Sequence, residues 1–303
     1  MNRIPEFPRF CEVSLDLVDP VAPLLRAMGP DISELTFSNL YLFRRAHQYR
    51  LSQQDGLILV VGMGYDRVPY AFPPLGEGDI AGGARILSEY LAQAGARPVL
   101  FPLPKPWVER YFGGPSWRAL GDRNNFDYVY LREELAHLPG KKFHNRRNRL
   151  LKFLREEAQG YEYSDLAAQD EEECLQLAEG WCDIRCSVER PSTFLETEAA
   201  KEALIHREAL GLKGGVIRLA GRVRAFCLGE ELTPETFVVH FEKTEPGREG
   251  LAQLINRDFC LHSLGGYRYV NREQDLGDPG LRQAKESYNP VFLAEKYRVE
   301  AVS

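Results

Sequence analysis

Long hydrophobic runs are missing from the sequence. The longest apolar stretch, Leu57-Ile-Leu-Val-Val61, is far shorter than the roughly 20 residues that a membrane-spanning helix needs. The N-terminal segment Met1-Asn-Arg-Ile-Pro-Glu-Phe-Pro8 lacks the apolar stretch of a secretory signal. We therefore expect no transmembrane segment and a cytoplasmic location.

Paired cysteines and common catalytic motifs are missing as well. The six cysteines show no CxxC spacing, which disfavours a disulfide framework in a chain of 303 residues. Cys182 and Cys186 lie one helical turn apart, but no histidine stands at ligand spacing, so we expect buried free thiols and no metal site. The sequence also contains no Gly-x-Ser-x-Gly, HExxH or Walker motif, which disfavours hydrolase, zinc protease and NTPase functions.

Positive charge is scarce overall and concentrated in one segment. The net charge of −6 disfavours a general nucleic-acid binder, because phosphate contacts need a basic surface. Residues 141–155 nevertheless contain seven Lys and Arg and no acid. On a helix, Lys142, Arg146 and Arg149 form one basic stripe. This segment favours a helix between two acidic domains; the alternative is a contact with a tRNA acceptor stem, another phosphate or an anionic lipid surface.

The predicted elements follow the same order in both halves of the chain. Each half has helices, a hairpin, a strand, a loop, a helix, a strand, a short helix and a final strand. The hairpin of the second half turns at Ala220-Gly221. After the hairpins, we expect a long helix at residues 80–94 in the first half and at 250–264 in the second. The expected strands lie at 98–102 and 126–131 in the first half and at 236–243, 267–271 and 291–297 in the second.

This order predicts an α+β fold with two domains in tandem, each a mixed sheet flanked by helices. We expect an N-terminal domain over residues 1–138, a basic linker helix over 139–158, and a C-terminal domain over 159–303. The alternative is one large mixed sheet. No residue-level repeat between the halves is visible, so the duplication is inferred from the order of the elements alone.

Two groups of polar residues in the second half are candidates for chemistry. Alternation along strand 237–242 places His240 and Glu242 on one polar face, where either side chain can accept a proton from an attacking amine or hydroxyl. The alternative is an edge or solvent face with ordinary polar residues. Farther along, Arg282 and Lys285 are three residues apart, so both project from one side of a short helix and can clamp a phosphate or carboxylate.

Other polar residues surround these two cations. Glu273 and Asp275 can bind the ammonium group of an aminoacyl donor. We therefore predict His240, Glu242 and Lys285 as catalytic residues. We also predict a substrate-binding set that comprises Asn271, Glu273, Asp275, Arg282 and Tyr288. The alternative for the whole cluster is a salt-bridge network that fixes the C-terminus.

Five strings along the chain resemble one bacterial protein family. The most specific is Tyr269-Val-Asn-Arg-Glu-Gln-Asp-Leu-Gly-Asp-Pro-Gly-Leu-Arg-Gln-Ala-Lys-Glu-Ser-Tyr-Asn-Pro-Val-Phe292. The others are Val239-His-Phe-Glu-Lys-Thr244, Gln253-Leu-Ile-Asn-Arg-Asp-Phe259, Asp31-Ile-Ser-Glu-Leu-Thr-Phe-Ser-Asn-Leu-Tyr41 and Lys141-Lys-Phe-His-Asn-Arg-Arg-Asn-Arg-Leu150. The family is related to the C-terminal catalytic domain of lysyl-phosphatidylglycerol synthases. The resemblance implies two GNAT-like domains in tandem, as in Fem-type aminoacyl transferases, which move an amino acid from aminoacyl-tRNA to a lipid or peptide.

One loop departs from the pattern of coenzyme A-dependent GNAT enzymes. Those enzymes hold the coenzyme A pyrophosphate on an (Arg/Gln)-x-x-Gly-x-(Gly/Ala) loop at a helix N-terminus. The equivalent stretch here is Glu245-Pro-Gly-Arg-Glu-Gly250, in which Pro246 removes an N–H donor and two glutamates add negative charge. Aminoacyl-tRNA therefore fits better as donor than acetyl-CoA does.

These observations lead to one main hypothesis and two alternatives. The main hypothesis is an acyl or aminoacyl transferase with a small-molecule, lipid-headgroup or peptide acceptor, at the membrane surface if the acceptor is a lipid. The first alternative is a non-catalytic protein whose GNAT-like cleft binds a small ligand or a protein. The second is an acetyl-CoA-dependent N-acetyltransferase. The sequence does not define the oligomeric state.

Overall fold

The computed structural model describes residues 3–185 and 191–302, except for the side chains of residues 181–185 and 191–194. The chain forms two compact units. The first comprises Met1–Asp127 and Ala294–Ser303, and the second comprises Tyr128–Leu293. Each unit has a mixed β-sheet with helices packed against it, which confirms the predicted α+β class.

The helices of the first unit are α1 (Val18–Ala27), α2 (Phe37–Leu42), α3 (Arg44–His47), α4 (Ile80–Gln93) and α5 (Lys105–Tyr111). Its strands before the second unit are β1 (Cys11–Glu12), β2 (Arg50–Gln54), β3 (Leu57–Met63), β4 (Pro69–Ala71), β5 (Leu75–Gly76), β6 (Val99–Pro104) and β7 (Trp117–Gly121). The last strand of the chain, Lys296–Ala301, lies between β6 and β7 and pairs antiparallel with both. The sheet order ahead of it is β1-β2-β3-β4-β6, with β5 paired to β3.

An apolar layer between the sheet and α4 forms the core of the first unit. Strand β3 is buried along nearly its whole length, and α4 presents Ile80, Leu87 and Leu91 to it. The side chain of Asp79 caps α4 by accepting a hydrogen bond from the Gly82 N–H at 2.9 Å. The predicted helix over residues 80–94 is thereby confirmed.

A group of charged residues is also buried in the first unit. The Lys296 ammonium is fully buried and donates to the Asp127 carboxylate at 2.6 Å and to the Glu34 carboxylate at 2.5 Å. Asp127 is itself fully buried and accepts from the Ser33 N–H at 2.8 Å. Burial raises the pKa of Glu34 to about 7, although Lys296 opposes the shift.

The helices of the second unit are α6 (Arg132–His137), α7 (His144–Glu156), α8 (Glu171–Arg185), α9 (Pro191–Ile205), α10 (Leu251–Asp258) and α11 (Pro279–Glu286). Its strands are β8 (Asp127–Leu131), β9 (Glu162–Asp165), β10 (Lys213–Leu219), β11 (Arg222–Thr233), β12 (Thr236–Thr244), β13 (Tyr269–Asn271) and β14 (Phe292–Ala294). The sheet order is β14-β8-β13-β12-β11-β10-β9. The last strand of the chain, in the first unit, is β15.

Local sequence explains the main turns of the second unit. Strands β10 and β11 form the predicted hairpin, whose turn residues Ala220 and Gly221 both have positive φ. Helix α10 is followed directly by a single π-helical turn, Phe259–Ser263. Helix α7 buries Leu150 and Phe153 in the core that these elements share, and Phe143, directly before the helix, is buried there too.

The units differ from the predicted domain boundaries. We placed the boundary after residue 138. The first segment of the first unit instead ends at Asp127, and its second segment begins at Ala294. Strand β8, expected in the first domain, pairs with β13 in the second sheet, and β15 completes the first. The segment predicted as a linker, residues 139–158, lies within the second unit. Strand pairing between distant segments decides these assignments, and local periodicity does not report it.

Candidate functional site

The parallel pairing of two neighbouring strands in the second sheet ends at the candidate site. Strands β12 and β13 pair from Thr236 opposite Tyr269 to Val238 opposite Asn271, the last residue of β13, and we call the region beyond this last pair the opening between β12 and β13. On the other side of β12, the register with β11 shifts between Leu228 opposite Phe241 and Gly229 opposite Val239, so His240 is the extra residue of a β-bulge. Polar residues of the candidate set lie at this bulge and directly after the last β12–β13 pair.

His240 lies between two carboxylates. Its Nδ1 is 2.8 Å from Glu273 and its Nε2 is 3.0 Å from Glu230, and the side chain is 1% exposed. Burial alone lowers the pKa of a histidine, but the hydrogen bonds with Glu230 and Glu273 outweigh it and raise the pKa of His240 to about 10. The imidazole is therefore protonated at neutral pH, with both nitrogens donating, and has no lone pair with which to accept a proton.

Glu242 lies in different surroundings from His240, contrary to the simple alternation we expected. Its carboxylate pairs with the Arg272 guanidinium at 3.0 Å. The guanidinium lies 4.8 Å from the ring centroid of Tyr288 and 5.8 Å from that of Tyr130, two residues of the unit's core. The bulge at His240 breaks the two-residue periodicity, so the prediction of one shared polar face for His240 and Glu242 is wrong.

Asp275 is the centre of a second buried cluster. Its carboxylate accepts hydrogen bonds from the Tyr128 hydroxyl at 2.6 Å, from Arg282 Nε and Nη2 at 2.8 and 2.9 Å, and from the Gly277 N–H at 2.8 Å. Burial favours the neutral acid, but these hydrogen bonds lower the pKa of Asp275 well below its ordinary range. The bidentate Arg282–Asp275 pair holds α11 against the loop that follows β13.

Lys285 and Asn271 contact the backbone at the end of β13. The Lys285 ammonium donates to the Arg272 carbonyl and lies 5.9 Å from the Tyr128 ring centroid. The Asn271 side chain is buried and accepts from the Glu273 N–H at 2.8 Å. Glu273 has a φ of 56°, in the left-handed region that non-glycine residues seldom occupy, and the Asn271 bond supports that turn.

The three residues of the predicted basic stripe, Lys142, Arg146 and Arg149, have different surroundings. The Arg146 guanidinium lies 4.5 Å from the Tyr288 ring centroid and donates to the Ala284 carbonyl at 3.2 Å. Tyr288 is thus within cation–π distance of both Arg146 and Arg272. Lys142 pairs with Glu134 at 2.7 Å, and Arg149 is exposed, with no side-chain hydrogen bond recorded among the described residues.

The loop before α10 differs from an anion site. The Glu245 side chain pairs with Arg224 and Arg248, and Arg248 also reaches Glu157 at 3.3 Å. Gly250, at the start of α10, has a φ of 110°, and a β-carbon there would lie 2.4 Å from the Phe153 β-carbon. Helix α7 therefore packs directly against the entry to α10.

The site joins most of the predicted residues through side chains that the sequence did not single out. His240 and Glu273 are in contact, as are Asp275 and Arg282, while Tyr288 contacts Arg146 and, through Arg272, Glu242. Glu230, Tyr128 and Tyr130 complete the clusters and were missed, because nothing in their local sequence distinguishes them from ordinary strand residues. Cys186 and the side chain of Cys182 lie outside the described residues.

The chain matches one protein family over most of its length. The family model described as phosphatidylglycerol lysyltransferase, C-terminal, matches residues 26–300. None of the curated proteins matches the sequence. No helix in the described part of the chain combines the length and hydrophobicity that crossing a bilayer requires.

Several solved structures share the fold. A conserved protein of unknown function from Bacteroides thetaiotaomicron is 31% identical, with a TM-score of 0.86 over 97% of this chain and 99% of that one. The C-terminal domain of a candidate lysylphosphatidylglycerol synthetase from Agrobacterium fabrum is 16% identical, with a TM-score of 0.67 over 96% and 93%. FemX is 7% identical, with a TM-score of 0.57 over 97% of each chain.

Proposed function

The chain belongs to the phosphatidylglycerol lysyltransferase C-terminal family, and on this premise we propose that it transfers an amino acid from aminoacyl-tRNA to a lipid or peptide acceptor. The observation that carries the proposal is a cluster of charged side chains beside the last residue pair of β12 and β13. There, Glu242 and the cations Arg272 and Lys285 lie around the end of a parallel strand pair.

Aminoacyl transfer needs a proton acceptor and a source of positive charge. The acceptor's amine or hydroxyl attacks the ester carbon of the donor and loses a proton. The carbonyl oxygen becomes negative in the tetrahedral intermediate, and the tRNA ribose hydroxyl leaves with a proton. Positioning of the two substrates supplies a large share of the rate in such reactions.

The contacts suggest how the side chains divide these tasks. Glu242 is the side chain we assign as proton acceptor, since its side chain is 18% exposed, whereas that of His240 is 1% exposed. Arg272 and Lys285, joined through the Arg272 carbonyl, are assigned to the developing negative charge. His240, protonated and held by Glu230 and Glu273, is a positioning residue that fixes the bulge.

The remaining predicted residues support the frame. Arg282 is bound in a bidentate pair to buried Asp275, so we assign both to holding α11 in place rather than to the donor. Asn271 and Glu273 shape the turn after β13. Tyr288 is buried in the core, and we assign it to holding the Arg146 and Arg272 guanidinium groups that lie against its ring.

The start of α10 supports a donor other than coenzyme A. A pyrophosphate needs open backbone N–H groups at a helix N-terminus. Here the α-carbon of Gly250 faces Phe153 of α7, and the carbonyl of Arg149 is 3.3 Å from the position of a β-carbon on Gly250. Helix α7 therefore packs against the start of α10, the end of a helix at which a pyrophosphate binds in coenzyme A-dependent enzymes.

A second candidate function follows from the pairing of the charged groups. His240, Glu242, Arg272, Asp275 and Arg282 all have charged partners within the unit. A network of this kind also suits a rigid binding protein that recognises a ligand without transforming it. Transfer assays with variants distinguish the two functions.

The test is transfer of a labelled amino acid. Aminoacyl-tRNAs carrying different radiolabelled amino acids are incubated with the protein and with phosphatidylglycerol vesicles or peptide acceptors. We expect product with at least one pair, a loss of at least a hundredfold in Glu242→Gln, and a similar loss in Lys285→Met. Glu231→Gln and Lys213→Met serve as matched controls outside the opening and should retain activity.

Three outcomes decide the matter. Product that depends on Glu242 and Lys285 supports the proposal. Product that is unchanged in both variants overturns the assignment of the opening as the site. Absence of product with every donor and acceptor pair, together with saturable binding of an acceptor, replaces the transferase with the binding protein.

A further inference from the structure

A surface pocket of about 540 Å³ lies at the far edge of the second sheet. Its walls are Tyr161, Tyr163, Ser164, Asp165 and His262. In the sheet order, β12, β11 and β10 separate β9 from β13. Four strand spacings amount to roughly 19 Å, so this pocket is distinct from the opening between β12 and β13.

Aromatic rings line one side of the pocket. Side chains two apart on a strand share a face, so Tyr163 and Asp165 lie on one face of β9, and Tyr161 directly precedes the strand. The His262 ring stacks on Tyr163 with 5.2 Å between centroids and an interplanar angle of 30°. A β-carbon at Gly215 would lie 2.5 Å from the Tyr163 hydroxyl, so this glycine leaves room for the tyrosine.

The π-helical turn after α10 supplies the opposite wall. This turn, Phe259–Ser263, carries His262 and Ser263. The Ser263 hydroxyl donates its one proton to the Asp165 carboxylate and therefore accepts a hydrogen bond from the Tyr163 hydroxyl. Single π-turns occur often at functional sites, and here the extra residue rotates two polar side chains towards β9.

The wall of the pocket holds one carboxylate, Asp165, and no lysine or arginine. Asp165 is bound by the neutral Ser263 hydroxyl, and no ion pair to it occurs among the residues that the structure describes. Behind Tyr161 lies the fully buried Asp258, one oxygen of which has no hydrogen-bond partner in that same part of the chain. Arg257, the neighbouring cation, is engaged with Asp258 at 2.6 Å and with the Tyr161 hydroxyl at 2.8 Å.

We propose that this pocket binds a small organic cation of the alkylammonium class. Ring faces attract a cation through their quadrupole, and a carboxylate at the rim adds a direct charge interaction. The alkyl groups of such a ligand contact Tyr161, Tyr163 and His262, while the charge lies near Asp165. The proposal is independent of the transferase assignment, since it uses none of the same residues.

The test uses choline as the probe and 3,3-dimethyl-1-butanol as its neutral isostere. Binding to the full-length protein is followed by proton NMR, because ring currents shift the choline methyl signal upfield. We expect saturable choline binding at millimolar concentrations and an affinity about tenfold lower, or 1.4 kcal/mol, in both Asp165→Asn and Tyr163→Leu. The neutral isostere should show no saturable shift.

Matched variants and a lipid arm complete the design. Glu162→Gln removes a carboxylate from the same strand but from its other face, and should leave choline binding unchanged. His262→Phe keeps a ring against Tyr163 and should retain most of the affinity, which separates loss of the pocket from loss of fold. Co-sedimentation with phosphatidylcholine vesicles shows whether the cation is a lipid headgroup: Asp165-dependent sedimentation assigns the headgroup, and choline binding without sedimentation assigns a free cation.

Other results overturn the proposal. Equal binding of choline and the neutral isostere reduces the pocket to an apolar surface. Unchanged choline binding in both Asp165→Asn and Tyr163→Leu places the cation elsewhere. Saturable binding of adenosine in place of choline makes the rings a stacking surface for a nucleobase.

Discussion

At the scale of single residues, His240 occupies the most unusual environment in the second unit. It is the extra residue of a β-bulge, almost fully buried, and held between Glu230 and Glu273. Two carboxylates around one imidazole make the ring a fixed cation. A residue type often used as a proton acceptor thus becomes a structural charge at the edge of the proposed site.

The His240 environment predicts a pH dependence of stability. The pKa is about 6.5 in the unfolded chain and about 10 in the folded protein, so the folded state binds more protons in between. This contribution is fully present below pH 6.5 and is lost as the pH rises through 10. We expect urea unfolding between pH 7 and 10 to show a steeper fall in stability for the wild type than for His240→Asn, by on the order of a few kcal/mol.

Parallel stability curves for the two proteins would contradict the charged state of His240. Glu34 acts in a lower window and does not confound the comparison. Its pKa rises from 4.5 to about 7 on folding, so its contribution to stability is lost as the pH rises from 4.5 through 7. This loss is the same in both proteins.

Buried Lys296 provides a second prediction. Lys296→Met leaves the carboxylates of Asp127 and Glu34 without their buried cation and should lower the free energy of unfolding by about 3 to 5 kcal/mol. Lys105 also pairs with a glutamate, Glu295, but is 48% exposed, so Lys105→Met should leave the free energy of unfolding nearly unchanged. Equal losses in chemical denaturation of the two variants would show that burial does not set the cost.

At the scale of elements, α7 combines packing and a basic surface. Its apolar side chains Leu150 and Phe153 are buried in the core, Arg146 lies against Tyr288, and Arg149 is exposed. Variants of the two arginines can therefore distinguish a structural role of α7 from a role in binding tRNA, since Arg146 contacts Tyr288 and Arg149 is exposed.

The third prediction compares these two arginines. Arg149→Glu should weaken a salt-sensitive tRNA gel shift several-fold and leave the urea midpoint unchanged, because the side chain is exposed. Arg146→Ala should weaken the shift and also cost about 1 to 2 kcal/mol of stability, since it loses the Tyr288 contact and a backbone hydrogen bond. If neither variant changes the shift, or wild type gives none, the basic stripe is structural only.

Elements that depend on local signals were predictable from the sequence. Gly221 readily adopts the positive φ that the tight turn at Ala220-Gly221 requires, and α4 begins at an aspartate cap and has a regular apolar face. The bulge at His240 was not predictable, because its residues alternate like those of a regular strand. The partners Glu230 and Tyr130 were also missed, since contacts between strands depend on register and not on sequence neighbourhood.

At the scale of the whole molecule, the first unit depends on the two ends of a long chain. Strand β15 lies between β6 and β7, and Val299 on β15 is fully buried in the same core as Trp117 on β7. The family and the fold class were recognisable from local strings of sequence. The position of β15 in the first sheet was not, because it depends on the pairing of strands that are far apart in the chain.

The fourth prediction is a C-terminal deletion. Removing residues 294–303 should abolish cooperative unfolding of the first unit and shift the tryptophan fluorescence to the red, because Trp117 loses its cover and β7 its partner. Limited proteolysis should then leave a fragment close to Tyr128–Leu293. Removing only residues 302 and 303, which lie beyond β15, should change neither readout. A near-native melting temperature of the longer deletion would refute the dependence.

The position of β15 also sets an order of events during translation. The segment Tyr128–Leu293 is continuous and can fold as soon as it has left the ribosome, whereas the earlier segment must wait for the last residues of the chain. At ordinary rates of synthesis this delay is roughly 10 to 30 s. During that time β6 lacks a neighbour on one side, and such an unpaired edge is where a chaperone or a second nascent chain can bind. The N-terminal half is thus made first and finished last.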